Sequence, residues 1–239
     1  MGYLDDIGNW TAGEVARRRE TRHFAAAIAG EGLSIIAEVK RSSPSQGAIA
    51  RDANPVATAK AYEAAGAAAI SVLTSERDFG GSLADLEAVR RAVDVPLLAK
   101  DFFVDPWQVI EARTHGADAI LIIMALVDDG LATELQQQAE DLDMDVLCEV
   151  HTEMELRRAL TLGFPVVGAN ARNLSTLEVD QAAGERLLRA IPHGYVRVAE
   201  SGIASKGDAL AVKAAGANAA LVGTALMRDP GLIQELVGL

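Results

Sequence analysis

A glycine that recurs about every fifty residues is the feature that most constrains the fold of this chain. Gly66, Gly116, Gly163 and Gly216 each follow a stretch with helical spacing of apolar residues, and each opens an apolar run of strand length. A glycine just past a helix adopts the left-handed conformation that ends the helix, so each is predicted to mark a helix-to-strand junction. In chain order they lie 50, 47 and 53 residues apart. Each interval holds one further apolar run, so the repeat corresponds to two strand-and-helix units.

The apolar runs number eight and are predicted to be strands. They centre near residues 37, 71, 98, 121, 147, 167, 198 and 221. They are continuously apolar, which is typical of a parallel sheet covered on both faces, and helical spacing fills the segments between them. This pattern predicts the α/β class and a single (β/α)8 TIM barrel. A doubly wound open sheet is the alternative, although the sequence contains no Gly-x-Gly-x-x-Gly fingerprint.

The repeat assigns the barrel to residues 33–239 and leaves residues 1–32 as an N-terminal helical extension, with Thr11 as a candidate N-cap. The formal net charge of −12 opposes binding to a nucleic-acid backbone or an anionic membrane surface. The longest apolar run, 119–127, is nine residues and falls short of the roughly 20 that span a bilayer. We therefore expect neither nucleic acid nor membrane as a partner.

The cysteine content and the first residues predict the cellular location. Residues 1–6 contain neither the basic nor the apolar region of a secretory signal, so we expect a cytoplasmic protein. Cys148 is the one cysteine, which excludes an internal disulfide. If Glu149 faces the barrel mouth, strand alternation places Cys148 outside the barrel as an inert core residue.

Charged residues lie at the ends of several predicted strands, where the active site of such a barrel is found. The first strand ends in Glu38 and Lys40, the third in Lys100, the fifth in Glu149 and the seventh in Glu200. Glu38 and Lys40 share a face because alternate residues of a strand point the same way. Gathering such charges at one rim is costly and is tolerated chiefly where function requires it. A structural network of ion pairs is the alternative interpretation.

Lysine is rare in this chain, which makes its positions informative. Five of the 22 basic residues are Lys, and Lys40 and Lys100 both lie at strand ends. An arginine does not release its proton at any useful pH, whereas a partly desolvated lysine does. The two lysines are therefore predicted to donate protons or to form a Schiff base.

Small residues follow the last two strands, in the loops where these barrels commonly hold phosphate. Ser201 and Gly202 follow strand seven, and Gly223 and Thr224 follow strand eight. Glycine lets backbone N–H groups approach phosphate oxygens, and a helix N-terminus beyond adds a favourable dipole. A small phosphorylated molecule is the predicted ligand.

Several motifs resemble those of the indole-3-glycerol phosphate synthase family of tryptophan biosynthesis. The most specific is Glu-Val-Lys-Arg-Ser-Ser-Pro-Ser-Gln-Gly at 38–47, and others follow in order at 69–74, 79–82, 98–102, 149–151, 170–174, 200–202 and 222–226. The resemblance implies conversion of 1-(2-carboxyphenylamino)-1-deoxy-D-ribulose 5-phosphate to indole-3-glycerol phosphate with loss of CO₂ and water. It also implies that neither a metal nor an organic cofactor is needed.

The resemblance implies roles for individual residues. Lys100 is similar to the general acid that protonates the ribulose carbonyl oxygen, Glu149 to the general base, and Lys40, paired with Glu38, to a second proton donor. Which lysine performs which proton transfer is left open. Asn170 is similar to a residue that orients the anilino-carboxylate. The other implied positions contact substrate, and they are Ser43, Phe79, Phe102, Leu121, Arg172, Glu200, Ser201, Gly202, Gly223 and Thr224.

Two rival hypotheses remain at this point. Another phosphate-sugar barrel enzyme, similar to phosphoribosylanthranilate isomerase, would share the fold and the last two loops. It would not require the set of Glu38, Lys40 and Ser43 together with Lys100 and Glu149. A non-catalytic barrel that binds a phosphorylated ligand would have no use for paired acids and bases. We expect a monomer, and association with other enzymes of tryptophan synthesis is left open.

Some positions depart from the family pattern or lack an assigned role. Ala171, Ala199 and Asp78 differ from the residues usual in the family, and the N-terminal segment is shorter, which affects substrate positioning more than proton transfer. His151 is close enough to Glu149 to reach the rim. Trp107, like Trp10, is expected to be a packing residue.

Overall fold

The computed structural model describes residues 22–43, 47–48 and 53–239, and within them eight parallel strands form a closed barrel. The barrel strands are β1 (Ser34–Val39), β4 (Ala69–Leu73), β5 (Leu97–Lys100), β6 (Ala119–Ile123), β7 (Asp145–Val150), β8 (Val166–Asn170), β9 (Val196–Glu200) and β10 (Ala219–Val222). Two short strands, β2 (Ser42–Ser43) and β3 (Gly47–Ala48), pair antiparallel after β1. All eight predicted centres fall inside barrel strands, which confirms the predicted fold. The open-sheet alternative is wrong because every barrel strand pairs with two neighbours and the first, β1, pairs with the last, β10, which closes the sheet.

Helices alternate with the barrel strands and cover the sheet. They are α1 (Phe24–Ile28), α2 (Pro55–Ala64), α3 (Glu76–Phe79), α4 (Leu83–Arg90), α5 (Pro106–Thr114), α6 (Asp129–Asp141), α7 (Glu153–Leu162), α8 (Gln181–Ala190), α9 (Lys206–Ala214), α10 (Thr224–Arg228) and α11 (Leu232–Leu236). Helices α2 and α4 to α9 each begin after an Asn, Ser, Asp or Thr whose side chain accepts a backbone N–H of the first turn. These N-caps fix where the helices start.

The repeated glycines mark junctions between helices and strands, as predicted. Gly66, Gly116, Gly163 and Gly216 have φ of 94°, 93°, 82° and 98°, the left-handed region that glycine adopts without steric cost. Each lies within two residues of a helix end and shortly before a barrel strand.

Alternation along the strands separates an inner core from an outer one. Side chains such as Ile36, Leu98 and Leu147 pack together in the barrel interior. Their neighbours along the strands pack outward among the helices, and Cys148 is buried in that outer layer. Burial raises the pKa of the Cys148 thiol, so the predicted outer and unreactive placement is confirmed.

Helix α1 closes the amino end of the barrel. Phe24 and Ile28 are fully buried in the inner core, together with the first residues of β4, β6 and β10. The backbone N–H of Ala25 donates to Asp145 Oδ2 at 2.9 Å, and that of Arg22 donates to Asp118 Oδ1 at 2.9 Å. The apolar floor therefore leaves the opposite end, where the polar residues gather, as the only open mouth of the described barrel.

Some expectations fall outside the described residues or fail. Residues 1–21, with Trp10 and Thr11, lie outside the description, so the helical extension remains a prediction there. Trp107 is 61% exposed, so its expected packing role is wrong; as the second residue of α5 it extends from the barrel rim into solvent. None of the described helices has both the length and the apolar content needed to span a bilayer.

Candidate active site

A cavity of about 580 Å³ opens at the carboxyl ends of the barrel strands. Most of the predicted site residues line it, namely Glu38, Lys40, Phe79, Lys100, Phe102, Leu121, Glu149, Asn170, Arg172, Ser201, Gly202, Gly223 and Thr224. Glu200 is not among the lining residues and lies beneath them, 1% exposed. Ser43 belongs to β2, but its side chain lies outside the described part of the structure. Residues from all eight barrel strands or their following loops thus meet at one site.

An ion-pair chain crosses the floor of this cavity. Glu38 is its centre, with Oε1 at 2.6 Å from Lys40 Nζ and Oε2 at 3.2 Å from Lys100 Nζ. Lys100 Nζ also lies 3.4 Å from Glu200 Oε2. These ion pairs form because Glu38, Lys100 and Glu200 are inward-facing residues at the carboxyl ends of their strands.

The ion pairs set the charges of the two groups at the centre. Burial alone would raise the pKa of Glu38, but the ammonium groups of Lys100 and Lys40 lower it to about 2. Burial alone would lower the pKa of Lys100, but Glu38, Glu200 and Glu149 outweigh it and raise the pKa. Lys100 is therefore an ammonium at neutral pH. It carries a proton that it can give to a strongly basic oxyanion, and it does not form a Schiff base in this state, since a protonated amine is not a nucleophile.

Two buried carboxyl groups near Lys100 have pKa values shifted in opposite directions. Burial and the nearby charge of Glu149 raise the pKa of Glu200 to about 8, against the opposing effect of Lys100. Burial also acts to raise the pKa of Glu149, but the contact with His151, 3.2 Å away, and the charge of Lys100 lower it. At neutral pH Glu200 is therefore mostly protonated and accepts from Lys100 through a neutral carboxyl oxygen, whereas Glu149 is an ionised carboxylate available as a base.

Two glycines make room for these charges. A Cβ on Gly223 would overlap Glu38 Oε1 and lie 3.0 Å from Lys40 Nζ. A Cβ on Gly168, in β8, would overlap Glu200 Oε1. The sequence identified Gly223 through phosphate binding alone, and the packing against Glu38 gives a second reason for glycine at this position.

The loops after β9 and β10 form a small-residue rim. Ser201 and Gly202 both have left-handed backbones, with φ of 66° and 77°, a conformation that costs a non-glycine residue roughly 1–2 kcal/mol. Gly223 is the N-cap of α10, whose first residue is Thr224. Arg228, at the end of α10, lines the same cavity and was missed by the sequence analysis; its position four residues after Thr224 on a helix was the available signal.

An apolar wall faces the charged floor. The rings of Phe79 and Phe102 lie with centroids 6.2 Å apart and planes tilted by 31°, and Leu121 lies deeper. Leu174 and Val179, 45% and 40% exposed, extend this wall. The sequence analysis missed both, and an apolar residue within an otherwise polar loop was the only signal for them.

The loop after β8 holds Asn170 and Arg172 at the cavity. Asn170 Oδ1 accepts the backbone N–H of Arg172 at 2.9 Å. Arg172 Nη1 donates to the backbone oxygen of Leu177 at 2.7 Å. These contacts fix the course of the loop and place a guanidinium group at the edge of the apolar wall.

His151 does not line the cavity and lies behind Glu149, with Nε2 at 3.2 Å from Glu149 Oε1. The sequence placed it near the rim without a partner. Within the described ranges, no group of three or more His, Cys, Asp or Glu residues has the arrangement of a metal site.

Comparison with known proteins identifies a family. A family model for indole-3-glycerol phosphate synthase matches residues 9–238. Indole-3-glycerol phosphate synthase from Parafrankia sp. (strain EAN1pec) is 52% identical over 88% of this chain and 79% of that protein. The enzyme of that name from Rhodococcus opacus (strain B4) is 51% identical over 95% of this chain and 90% of that protein.

One solved structure with a different name shares the architecture. Thiamine phosphate pyrophosphorylase from Pyrococcus furiosus superposes with a TM-score of 0.64 at 18% identity, over 85% of this chain and 93% of that chain. At this level of identity the likeness concerns the barrel fold alone.

Proposed function

Because the chain belongs to the indole-3-glycerol phosphate synthase family, we propose that Lys100, Glu149 and Lys40 carry the proton transfers of its reaction. That reaction converts 1-(2-carboxyphenylamino)-1-deoxy-D-ribulose 5-phosphate to indole-3-glycerol phosphate, CO₂ and water. The observation that carries the proposal is the Lys100 ammonium held between Glu38 and Glu200 on the cavity floor, at 3.2 and 3.4 Å.

The two ends of the cavity fit the two ends of the substrate. Ser201, Gly202, Gly223 and Thr224 bind the phosphate through backbone N–H groups and hydroxyls. The anilino ring packs against the wall of Phe79, Phe102 and Leu121, with Asn170 and Arg172 orienting its carboxylate. Holding both ends brings the ring carbon and the ribulose carbonyl carbon together, which supplies much of the rate enhancement for ring closure.

Lys100 is the general acid of ring closure. As the ring carbon attacks the ribulose carbonyl carbon, negative charge develops on the carbonyl oxygen, and the Lys100 ammonium donates a proton to it. Loss of CO₂ returns the electrons of the broken C–C bond to the ring and restores its aromaticity. Glu38 holds the ammonium in place for this step, since it contacts both Lys100 and Lys40.

Dehydration uses the remaining groups. The hydroxyl formed in ring closure leaves as water after receiving a second proton, which Lys40 donates. Glu149 accepts the proton that the ring system loses, because its carboxylate is ionised and faces the cavity. Glu200, which is 1% exposed and lies 3.4 Å from Lys100 Nζ, positions Lys100 in this mechanism.

The reaction is proposed to need neither metal nor organic cofactor. Two lysine ammonium groups supply, at the cavity, the positive charge that the developing oxyanion requires. We expect turnover to continue unchanged in excess chelator, and loss of activity that added divalent metal restores would contradict this.

The direct test is an assay of the purified protein. Incubation with the carboxyphenylamino-deoxyribulose phosphate should produce indole absorbance and fluorescence, with release of one CO₂ per turnover. Phosphoribosylanthranilate should remain unchanged under the same conditions. Absence of indole formation, or isomerisation of phosphoribosylanthranilate, would contradict the assigned chemistry.

The partner is a small phosphorylated substrate, and we propose that the protein acts as a cytoplasmic monomer. The net charge of −12 and one buried thiol without a cysteine partner support this. Gel filtration is expected to give the 25.1 kDa of a single chain, and elution at twice that mass would contradict it.

A further inference from the structure

Behind the proposed base lies an imidazole held between two carboxylates. His151 Nε2 is 3.2 Å from Glu149 Oε1, and His151 Nδ1 is 3.4 Å from Glu155 Oε2. The His151 side chain is 10% exposed and that of Glu155 is 13% exposed. The three side chains form a buried row that ends at the cavity on the Glu149 side.

The start of α7 fixes this row in place. The backbone N–H of His151 donates to Glu155 Oε2 at 2.7 Å, and the backbone N–H of Glu155 donates to Thr152 Oγ1 at 3.2 Å. Thr152 is the N-cap of α7, so the arrangement ties the Glu155 carboxylate to a rigid helix start. His151 thereby has a fixed anchor on the side away from the substrate.

The charges that face His151 come from both elements packed around it. Glu149 faces it from β7 and Glu155 from α7, while Lys100 and Glu200 act on Glu149. Burial alone would lower the pKa of His151, but the two carboxylates raise it to about 9. The ring is therefore an imidazolium at neutral pH, with a proton on each nitrogen, and both nitrogens have a carboxylate oxygen within 3.4 Å.

We propose that His151 is a positioning residue that orients the Glu149 carboxylate and keeps it ionised between turnovers. The proposal rests on the proposed role of Glu149 as the base. His151 does not line the cavity, so it acts through Glu149 and not on the substrate. Without the imidazolium, burial and the negative charges nearby would leave Glu149 protonated over a wider range of pH.

The test compares His151→Ala and His151→Gln with His193→Ala, a control at an exposed histidine. In His151→Ala we expect kcat to fall roughly 10- to 100-fold with KM changed less than about threefold, because the base loses its orientation while the substrate contacts remain. The acidic limb of the kcat/KM profile should move to higher pH by about one unit, because an opposite charge at this distance lowers a carboxyl pKa by about that much. All variants act on the same substrate, so ionisation of its phosphate does not contribute to the difference.

His151→Gln separates orientation from charge. Its amide can still donate to Glu149 but carries no charge, so kcat should recover in part while the acidic limb stays displaced. A lower kcat in His151→Ala with an unmoved acidic limb would mean a merely structural role and would overturn the proposal. Activity equal to that of His193→Ala would overturn it as well.

A second measurement does not depend on activity. Proton NMR titration of the wild-type protein should show one histidine with a pKa near 9, absent from His151→Ala and moved to lower pH in Glu155→Gln. Glu149→Gln distinguishes failure of the proposed base from failure of the role proposed for His151. Turnover in Glu149→Gln would refute the proposed base itself, whereas an inactive Glu149→Gln with a normal profile in His151→Ala would refute only the role of His151.

Discussion

Replacing Lys100 by methionine tests the centre of the proposed mechanism. The change keeps much of the side-chain volume and removes the ammonium that lies 3.2 Å from Glu38 and 3.4 Å from Glu200. Loss of a general acid costs about 10² to 10⁴ in rate, and loss of one preorganised donor to an oxyanion costs about 10² to 10³. Since one group performs both tasks, we expect kcat to fall at least about 10³-fold, or roughly 4 kcal/mol in the activation free energy.

The same structure limits the expected loss of stability. Removing one partner of a buried ion pair costs about 3–5 kcal/mol when the other charge is left alone. Here Glu38 keeps Lys40 at 2.6 Å, and Glu200, with a pKa of about 8, is mostly neutral at pH 7. The unfolding free energy should therefore fall by no more than about 3 kcal/mol, which in a chain of this size lowers Tm by about 12 °C or less.

Two variants complete the test of Lys100. Lys100→Arg keeps the positive charge but does not release a proton, so it should retain stability and still lose turnover. Lys60→Met, at an exposed position, should match the wild type in both. Indole fluorescence under saturating substrate gives kcat, and calorimetric titration gives the dissociation constant, which should change less than about tenfold because the phosphate and ring contacts lie elsewhere. Turnover of Lys100→Met within tenfold of wild type, or an active Lys100→Arg, would refute Lys100 as the proton donor.

Three further predictions follow from the packing of the barrel. Gly223→Ala should lower turnover at least about tenfold and the free energy of unfolding by about 1–3 kcal/mol, because its methyl group overlaps Glu38 Oε1. The control Gly207→Ala, whose methyl group lies 3.6 Å from its nearest neighbour, should change neither quantity. Glu200 has a folded pKa of about 8, above its usual 4.5, so its proton stabilises the folded state fully below pH 4.5, and that stabilisation is lost as the pH rises through 8. The free energy of unfolding in urea should therefore decline from pH 5 to 9, and the decline should be smaller in Glu200→Gln. Equal declines in the two proteins would contradict the raised pKa. Phe24→Ala should cost about 3–5 kcal/mol in urea unfolding with kcat/KM nearly unchanged at 25 °C, and a large loss of activity in the folded variant would show that the barrel floor influences the mouth.

The fold could be predicted from sequence because its signals are local and repeat. Each of Gly66, Gly116, Gly163 and Gly216 lies at a helix end whatever the distant parts of the chain do, and eight repeats of a covered parallel strand admit few architectures. Trp107 shows where local reasoning fails, because nothing beside it in sequence tells whether a helix start at the rim is covered by another part of the chain.

The candidate site could be predicted only in part. Strand ends and alternation place Glu38, Lys100 and Glu149 at one mouth, but the contacts between them depend on side-chain reach across the barrel. The sequence therefore placed Glu200 against the substrate, while the structure places it under Lys100. The support of His151 by Glu155 was missed because it joins a strand end to the following helix.

The sealed floor has a consequence for how the protein forms during synthesis. Helix α1 is among the first described segments to leave the ribosome, yet the backbone N–H of Ala25 within it bonds to Asp145, 120 residues later, and that of Arg22 just before it bonds to Asp118, 96 residues later. Phe24 and Ile28 are then without their complete burial site until β10 has been translated, so the nascent chain carries an exposed apolar segment for most of its elongation. Chaperone binding to ribosome-held fragments should therefore drop sharply only once β10, which ends at Val222, has emerged.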